Sequence, residues 1–177
     1  MKSQSIRYSG SKQKVLPQME TILEGIPHTK VLDGFSGSTR VSQFFKNCGK
    51  TVSSNDLAVY SKVLAECYLK ADRPKSYYQE LIDHLNSLTM EEGWYTETYG
   101  GLDNAGSSIQ SDGFKRPFQM HVTKKLDSIR EEIDKLFLEE CIDRSVLLTS
   151  LLLALDSICN DMGHHTSYLR NWSKRSY

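Results

Sequence analysis

Residues 30–56 read KVLDGFSGSTRVSQFFKNCGKTVSSND, and this stretch decides the fold. Val31 and Leu32 form a short apolar run ending on Asp33. Gly34-Phe35-Ser36-Gly37-Ser38 then supplies the small residues of a tight turn. Val41, Phe44, Phe45 and Cys48 recur at helical spacing, Ser38 or Thr39 can serve as N-cap, and Gly49 falls where a left-handed helix stop is expected. That predicts a helix of about three turns. Thr51-Val52-Ser53-Ser54 is a second β-rich run, and it ends at a second acid, Asp56. Strand, glycine turn, helix, strand, acid is half of an open α/β nucleotide site.

In a doubly wound sheet the ligand lies at the carboxyl ends of the strands, where glycines let backbone approach it and a carboxylate binds ribose hydroxyls. Asp56 follows the turn by about 20 residues, the spacing of a ribose acid. The turn lacks G-x-G-x-x-G, since only Gly34 and Gly37 are present, and there is no G-x-x-x-x-G-K-[ST]. A dinucleotide or triphosphate ligand is therefore disfavoured, and with it an unrelated oxidoreductase.

Asp33-Gly34-Phe35-Ser36-Gly37-Ser38 and Ser54-Asn55-Asp56 resemble the cofactor motifs of adenine-specific DNA methyltransferases of the Dam-like class. Ile6-Arg7-Tyr8-Ser9-Gly10-Ser11-Lys12, followed by Leu16-Pro17, is similar to that family's opening motif. Weaker likeness runs through Trp94-Tyr95, Tyr99-Gly100-Gly101, residues 124–130 and the end of the chain from Gly163-His164-His165 to Trp172. The resemblance implies S-adenosylmethionine as cofactor, bound by Tyr8, Ser11, Lys12, Asp33, Phe35, Ser36, Gly37, Ser38 and Asp56. Tyr8 would pack near it, Lys12 hold its carboxylate, Asp33 lie near its methionine part and Asp56 take the ribose hydroxyls. Read from the residues alone, Lys12 is equally a solvated lysine of a terminal loop, Asp33 an acceptor for turn amides, and Asp56 a helix N-cap before Leu57.

The same resemblance calls for a catalytic Asp-Pro-Pro-Tyr or close variant shortly after Trp172. The four prolines, Pro17, Pro27, Pro74 and Pro117, include no adjacent pair, so this chain holds no catalytic tetrapeptide. It is expected to be the amino-terminal part of such an enzyme, inactive alone, from a truncated or interrupted gene or a split enzyme. It would act on double-stranded DNA once a complementing polypeptide supplies the catalytic half. The alternative is a degenerate remnant serving as a DNA- or protein-binding module.

Composition agrees with an ordinary globular chain. The 177 residues are 38% hydrophobic and 25% charged, and 22 Lys and Arg balance 22 Asp and Glu. Net zero charge gives no global signature of nucleic-acid binding, so any DNA contact must come from local patches. Cys48, Cys67, Cys141 and Cys159 form no C-x-x-C pair, and three fall on apolar helical faces, which predicts buried free thiols in a reducing cytoplasm. The polar lead MKSQSIRYSGSK has no apolar signal core. The one long apolar run, VLLTSLLLALDSIC over residues 146–159, is short of the ~20 residues that span a bilayer and predicts a buried core helix instead. No membrane partner is expected.

Working outward, helices are predicted over 17–25, 57–71, 77–88, 124–137 and 143–162, the last stopped by Gly163. Residues 91–121 are rich in Gly, Ser, Asn and Asp and predict a long functional or disordered loop. Its Trp94, Tyr95, Tyr99, Phe114 and Phe118, with Lys115 and Arg116, frame a surface where rings stack on bases and cations meet phosphate, or else anchor the loop to the body. Tyr168, Arg170, Trp172, Lys174 and Arg175 make a basic aromatic tail of similar promise. His164-His165 has no ligand partner at metal spacing, and no metal is expected.

The fold class follows as α/β, a partial Rossmann-like methyltransferase domain with few parallel strands and a helix-rich insertion. Residues 1–72 are assigned to the cofactor part, 73–163 to the helical and loop-rich insertion with DNA recognition, and 164–177 to a return segment. Half a sheet would expose apolar edge and face, which favours a homodimer or poor stability.

Overall fold

The structure is a computed structural model and describes residues 5–7, 10–164 and 166–177. The chain divides into two compact units, Met1–Asp72 with Cys141–Ser150, and Arg73–Glu140 with Leu151–Tyr177. It is mixed α/β, with short parallel strands in two small sheets, as expected of a partial methyltransferase fold.

In the first unit a single 3₁₀ turn, Gln13–Val15, leads into helix α1, Leu16–Leu23, with Pro17 in the first turn, where its missing N–H is no loss. Strand β1, Lys30–Asp33, is followed by α2, Arg40–Asn47, and β2, Thr51–Ser54. The strands are parallel and in register from Lys30 opposite Thr51 to Asp33 opposite Ser54. Along both, exposure alternates: Val31, Asp33, Val52 and Ser54 are half-buried, while Lys30, Leu32, Thr51 and Ser53 face outward. Helix α2 sits on the half-buried face, where Ser42 Oγ donates to Asp33 Oδ2 at 2.6 Å and lies 3.3 Å from Ser54 Oγ. The outward face leaves Leu32 71% exposed. Parallel sheets are normally covered on both faces, so this one is half-dressed.

The helix after β2 begins later than its pattern suggests. Leu57 is fully exposed, α3 runs Val59–Ala65, and the chain continues as a π turn, Glu66–Lys70, that gathers Lys46 Nζ at its Tyr68 and Leu69 carbonyls. Phe45, Leu64 and Leu16 form the apolar core with Val146 and Leu147 from α7, Ile142–Ile158. Ser145 Oγ of that helix donates to Glu66 Oε2 at 2.6 Å.

In the second unit α4, Lys75–Ser87, and α6, Met120–Leu136, are joined by a His84–Glu132 contact of 2.7 Å. The 91–121 region is not a structureless loop. It forms α5, Trp94–Tyr99, then β3, Gly100–Gly101, parallel to β4, Phe118–Gln119. The reason lies outside the segment: Asp127 on α6 accepts the N–H groups of Gly93, Tyr95 and Thr96 at 3.1, 2.9 and 2.9 Å and the Thr96 hydroxyl at 2.6 Å, capping α5. Helix α7 ends at Ile158, short of Gly163, because Asn160 N–H turns away to the Pro117 carbonyl at 2.8 Å. The thiols also differ from expectation: Cys159 is buried and Cys67 intermediate, but Cys48 and Cys141 are exposed, since each lies at or beyond the end of its helix rather than on its inner face.

No helix among the described residues is long and apolar enough to cross a membrane.

Candidate functional site

The two strand ends and the turn between them are laced together at one edge of the parallel pair. Asn55 N–H donates to the Asp33 carbonyl at 2.9 Å, continuing the ladder one residue past the strands. Ser36 N–H donates to the Asn55 carbonyl at 2.9 Å, and Asn55 Nδ2 to the Gly34 carbonyl at 3.1 Å. Asp56 completes the lacing, with Oδ2 accepting the Gly37 N–H at 2.7 Å and Oδ1 the Ala58 N–H at 2.9 Å. Those N–H groups, Ala58 first and Gly37 second, hold the Asp56 carboxyl below its usual range, against a desolvation effect of opposite sign. Asp56 therefore stays anionic at neutral pH. Because a carboxylate offers about four lone-pair directions, it keeps acceptor capacity for a ligand.

The turn is held in an uncommon shape. Gly37 has φ +48°, which glycine adopts freely, but Thr39 has φ +61° and is fully buried. As N-cap of α2 Thr39 makes no side-chain cap bond; its hydroxyl donates to the Ser38 carbonyl at 2.8 Å and accepts from Gln43 Nε2 at 3.1 Å. A β-branched residue in this region is strained and needs such support.

Two cavities share Ser36 and Asp56. One, of about 340 Å³, is lined by Gly10, Ser11, Lys12, Phe35, Ser36, Gly37, Ser38, Arg40, Val41 and Asp56. The other, of about 570 Å³, runs along β2 and residues 61–70, with Ser61, Lys62 and Glu66 in its wall. The smaller cavity brings together Ser11, Lys12, Phe35, Ser36, Gly37, Ser38 and Asp56 of the expected cofactor set. Asp33 stands apart, its carboxylate bonded to Ser42 beneath the turn. Tyr8 lies outside the described residues. Lys12 Nζ is exposed and donates to the Gly10 carbonyl at 2.9 Å.

Two residues here, Ser42 and Arg40, escaped the sequence reading, and a third, Asn55, entered it only as part of the Ser54-Asn55-Asp56 motif. Ser42 is a polar residue on the buried stripe of α2, a signal that was available. Asn55 acts chiefly through its backbone, which no side-chain pattern reports. Arg40, at the first position of α2, has no periodic signal at all.

The basic and aromatic residues fall in the second unit. Ser108 ties two of them through backbone, donating its N–H to the Arg170 carbonyl at 2.9 Å and accepting Arg116 N–H at 3.1 Å. Arg116 also pairs with Asp112 at 2.5 Å, which lowers the Asp112 pKa. Lys115, Arg170, Lys174 and Arg175 are exposed, and Arg175 Nη2 also holds Asp161 Oδ1 at 2.8 Å. Trp94 is 59% exposed and meets Tyr95 and Tyr99 edge-on, with centroids 4.9 and 5.6 Å away. His164 Nδ1 contacts Thr166, His165 is outside the described residues, and no cluster able to hold a metal occurs among the described residues.

The pattern of the D12 class N6 adenine-specific DNA methyltransferases matches residues 8–176. The chain belongs to that family. Over 187 aligned positions it is 30% identical to the modification methylase StsI of Streptococcus sanguinis, covering 97% of this chain and 27% of that protein. It is 27% identical to the type II methyltransferase M.NlaIII of Neisseria lactamica over 177 positions, covering 96% of this chain and 51% of that relative. The chain thus spans about half of one of these relatives and about a quarter of the other. No solved structure gives a significant match. Membership of a methyltransferase family implies a methyl donor, and the residues around the smaller cavity suit one with hydroxyls and charge: an anionic acceptor, cations and a glycine turn in one wall.

Proposed function

We propose that these 177 residues hold the S-adenosylmethionine site and a DNA-recognition unit of a DNA adenine N6-methyltransferase, and do not transfer methyl by themselves. The observation that carries this reading is the Gly37–Asp56 contact, which sets an ionised acid beside a glycine turn at the strand ends, in the wall of a cavity. Asp56 would accept the ribose hydroxyls, Gly37 admit the cofactor close to backbone, and the cationic side of the cavity, to which Lys12 belongs, attract its carboxylate. The bound cofactor would supply the methyl group for the exocyclic amine of adenine. Such an amine is unreachable in a stacked duplex, so the base must be rotated out, and the exposed Trp94 and Phe114 with Lys115, Arg116, Arg170, Lys174 and Arg175 are our DNA-side residues. The group that would hold the amine, Asp-Pro-Pro-Tyr, is absent from the sequence. A complementing polypeptide, or further chain, is proposed to supply it. The uncovered sheet face around Leu32 offers such a partner, or a second copy, a place to dock.

A second reading is a remnant that binds DNA or protein without cofactor. It is favoured by one observation: both Asp56 oxygens already accept backbone N–H groups, as a purely structural cap would.

Calorimetric titration with S-adenosylmethionine decides between them. Binding by the chain that Asp56→Ala abolishes supports the cofactor site; a folded chain that binds DNA but no cofactor supports the remnant. Methyl transfer to adenine by the chain alone would overturn the proposed inactivity.

A further inference from the structure

Arg40 is a second cationic residue in the wall of the smaller cavity, with Lys12. It sits at the first position of α2, half-buried, and its Nη2 donates to the Ser5 carbonyl at 3.2 Å, so the guanidinium reaches from the helix to the amino-terminal lead. Lys12 is differently placed: its ammonium is exposed and folded back on Gly10. The anion in the same wall is Asp56, whose two oxygens are turned to Gly37 and Ala58. A ligand carrying one carboxylate and several hydroxyls is sorted by these charges. Its carboxylate is repelled from Asp56 and drawn to the cations, while its hydroxyls find their one anionic acceptor among the lining residues at Asp56. Of the two cations the guanidinium is the better carboxylate partner, being planar, always charged and partly withdrawn from solvent, where an ion pair is less screened.

Resting on the cofactor reading above, we propose that Arg40 is the residue that binds the ligand's carboxylate and so fixes which way round an amino-acid-bearing nucleoside enters the cavity. Lys12 then adds a weaker, solvent-screened attraction at the rim. The bond to Ser5 gives Arg40 a second task, holding the lead against α2, and the test separates the two.

The probes are S-adenosylmethionine and its decarboxylated form, which differ by the carboxylate alone, titrated calorimetrically into the 177-residue chain. The variant is Arg40→Gln, which keeps an amide donor for Ser5 but loses the charge; circular dichroism checks its fold, and Arg40→Lys restores the charge. Arg40→Gln should weaken S-adenosylmethionine about tenfold or more, leave the decarboxylated ligand within about twofold, and be partly rescued by Arg40→Lys. Equal weakening of both ligands would make Arg40 only a latch for the lead and overturn the proposal, as would no weakening, or selective loss in Lys12→Ala instead. A wild-type chain that binds neither ligand would sink the cofactor reading itself, an outcome distinct from those failures.

Discussion

The Gly37 amide and the Asp56 carboxylate, 19 positions apart in sequence, meet at 2.7 Å and close the turn that follows β1 onto the residue that follows β2. A backbone donor from the glycine turn and an acid from the second strand end thus form one piece of structure. The acid also caps the approach to α3 through Ala58. On the proposed reading, ligand binding and turn stability would be coupled at Asp56.

Acid should therefore loosen this turn. The Asp56 carboxyl lies below its ordinary value of 3.8, so the unfolded chain takes up the proton first as pH falls. The contribution is present in full above the unfolded value and is lost as pH drops through the lower folded one. Urea midpoints of wild type and Asp56→Asn, compared at about pH 6 and about pH 3, should converge at the lower pH. A gap that stays constant would show that the charge contributes nothing to folding.

Thr39 supplies a second test. Thr39→Val keeps the shape and removes the hydroxyl that serves both Ser38 and Gln43, at a fully buried site with φ +61°. The expected loss is about 1–3 kcal/mol of unfolding free energy by urea titration. A neutral result would mean that the hydroxyl bonds do not hold the strained turn.

Asp127→Ala removes the acceptor for three amides and the Thr96 hydroxyl at the start of α5. We expect a loss of about 2 kcal/mol, and a changed near-ultraviolet dichroism as Trp94, Tyr95 and Tyr99 lose their mutual orientation. Unaltered aromatic dichroism would show that α5 holds its form without the cap.

Two glycines should respond in opposite ways. A Cβ on Gly100 would lie 2.6 Å from the Thr96 carbonyl oxygen and 2.7 Å from Thr123 Oγ1, whereas one on Gly34 meets nothing within 4 Å. Gly100→Ala should cost about 1–3 kcal/mol and Gly34→Ala less than about 0.5 kcal/mol in thermal or urea unfolding. Equal costs would contradict this packing.

At the carboxyl-terminal end Asp161 has a fully buried side chain, held by Arg175 and by the Gly163 amide. Arg175→Met should lower the unfolding free energy by about 2 kcal/mol or more, while Lys174→Met leaves it within about 0.5 kcal/mol. If both variants instead leave stability alone and weaken DNA binding alike, Arg175 is a phosphate contact rather than a clasp.

Residues 30–56 show why part of the molecule was legible beforehand. The apolar run of Val31-Leu32 before Asp33, the β-rich run Thr51–Ser54, the helical spacing from Val41 to Phe45, and Gly49, which has φ +75°, are all local signals, and strand, helix, strand and stop lie where they point. The family was legible for the same reason, because its motifs are short and contiguous. The 91–121 region was not. Its order comes from Asp127, more than thirty positions beyond the amides it caps, and from β4 pairing with β3 across an intervening loop.

By itself, then, the sequence determined the α/β class, the strand–helix–strand order of residues 30–54 and the family, since each depends on neighbours a few positions apart. Only the tertiary structure decided that Asp33 turns to Ser42, that Arg40 joins the cavity wall, that Arg175 is held by Asp161, and that α5 forms at all. Those outcomes rest on pairings between distant residues, whose free energy depends on which partner the folded chain brings within bonding distance.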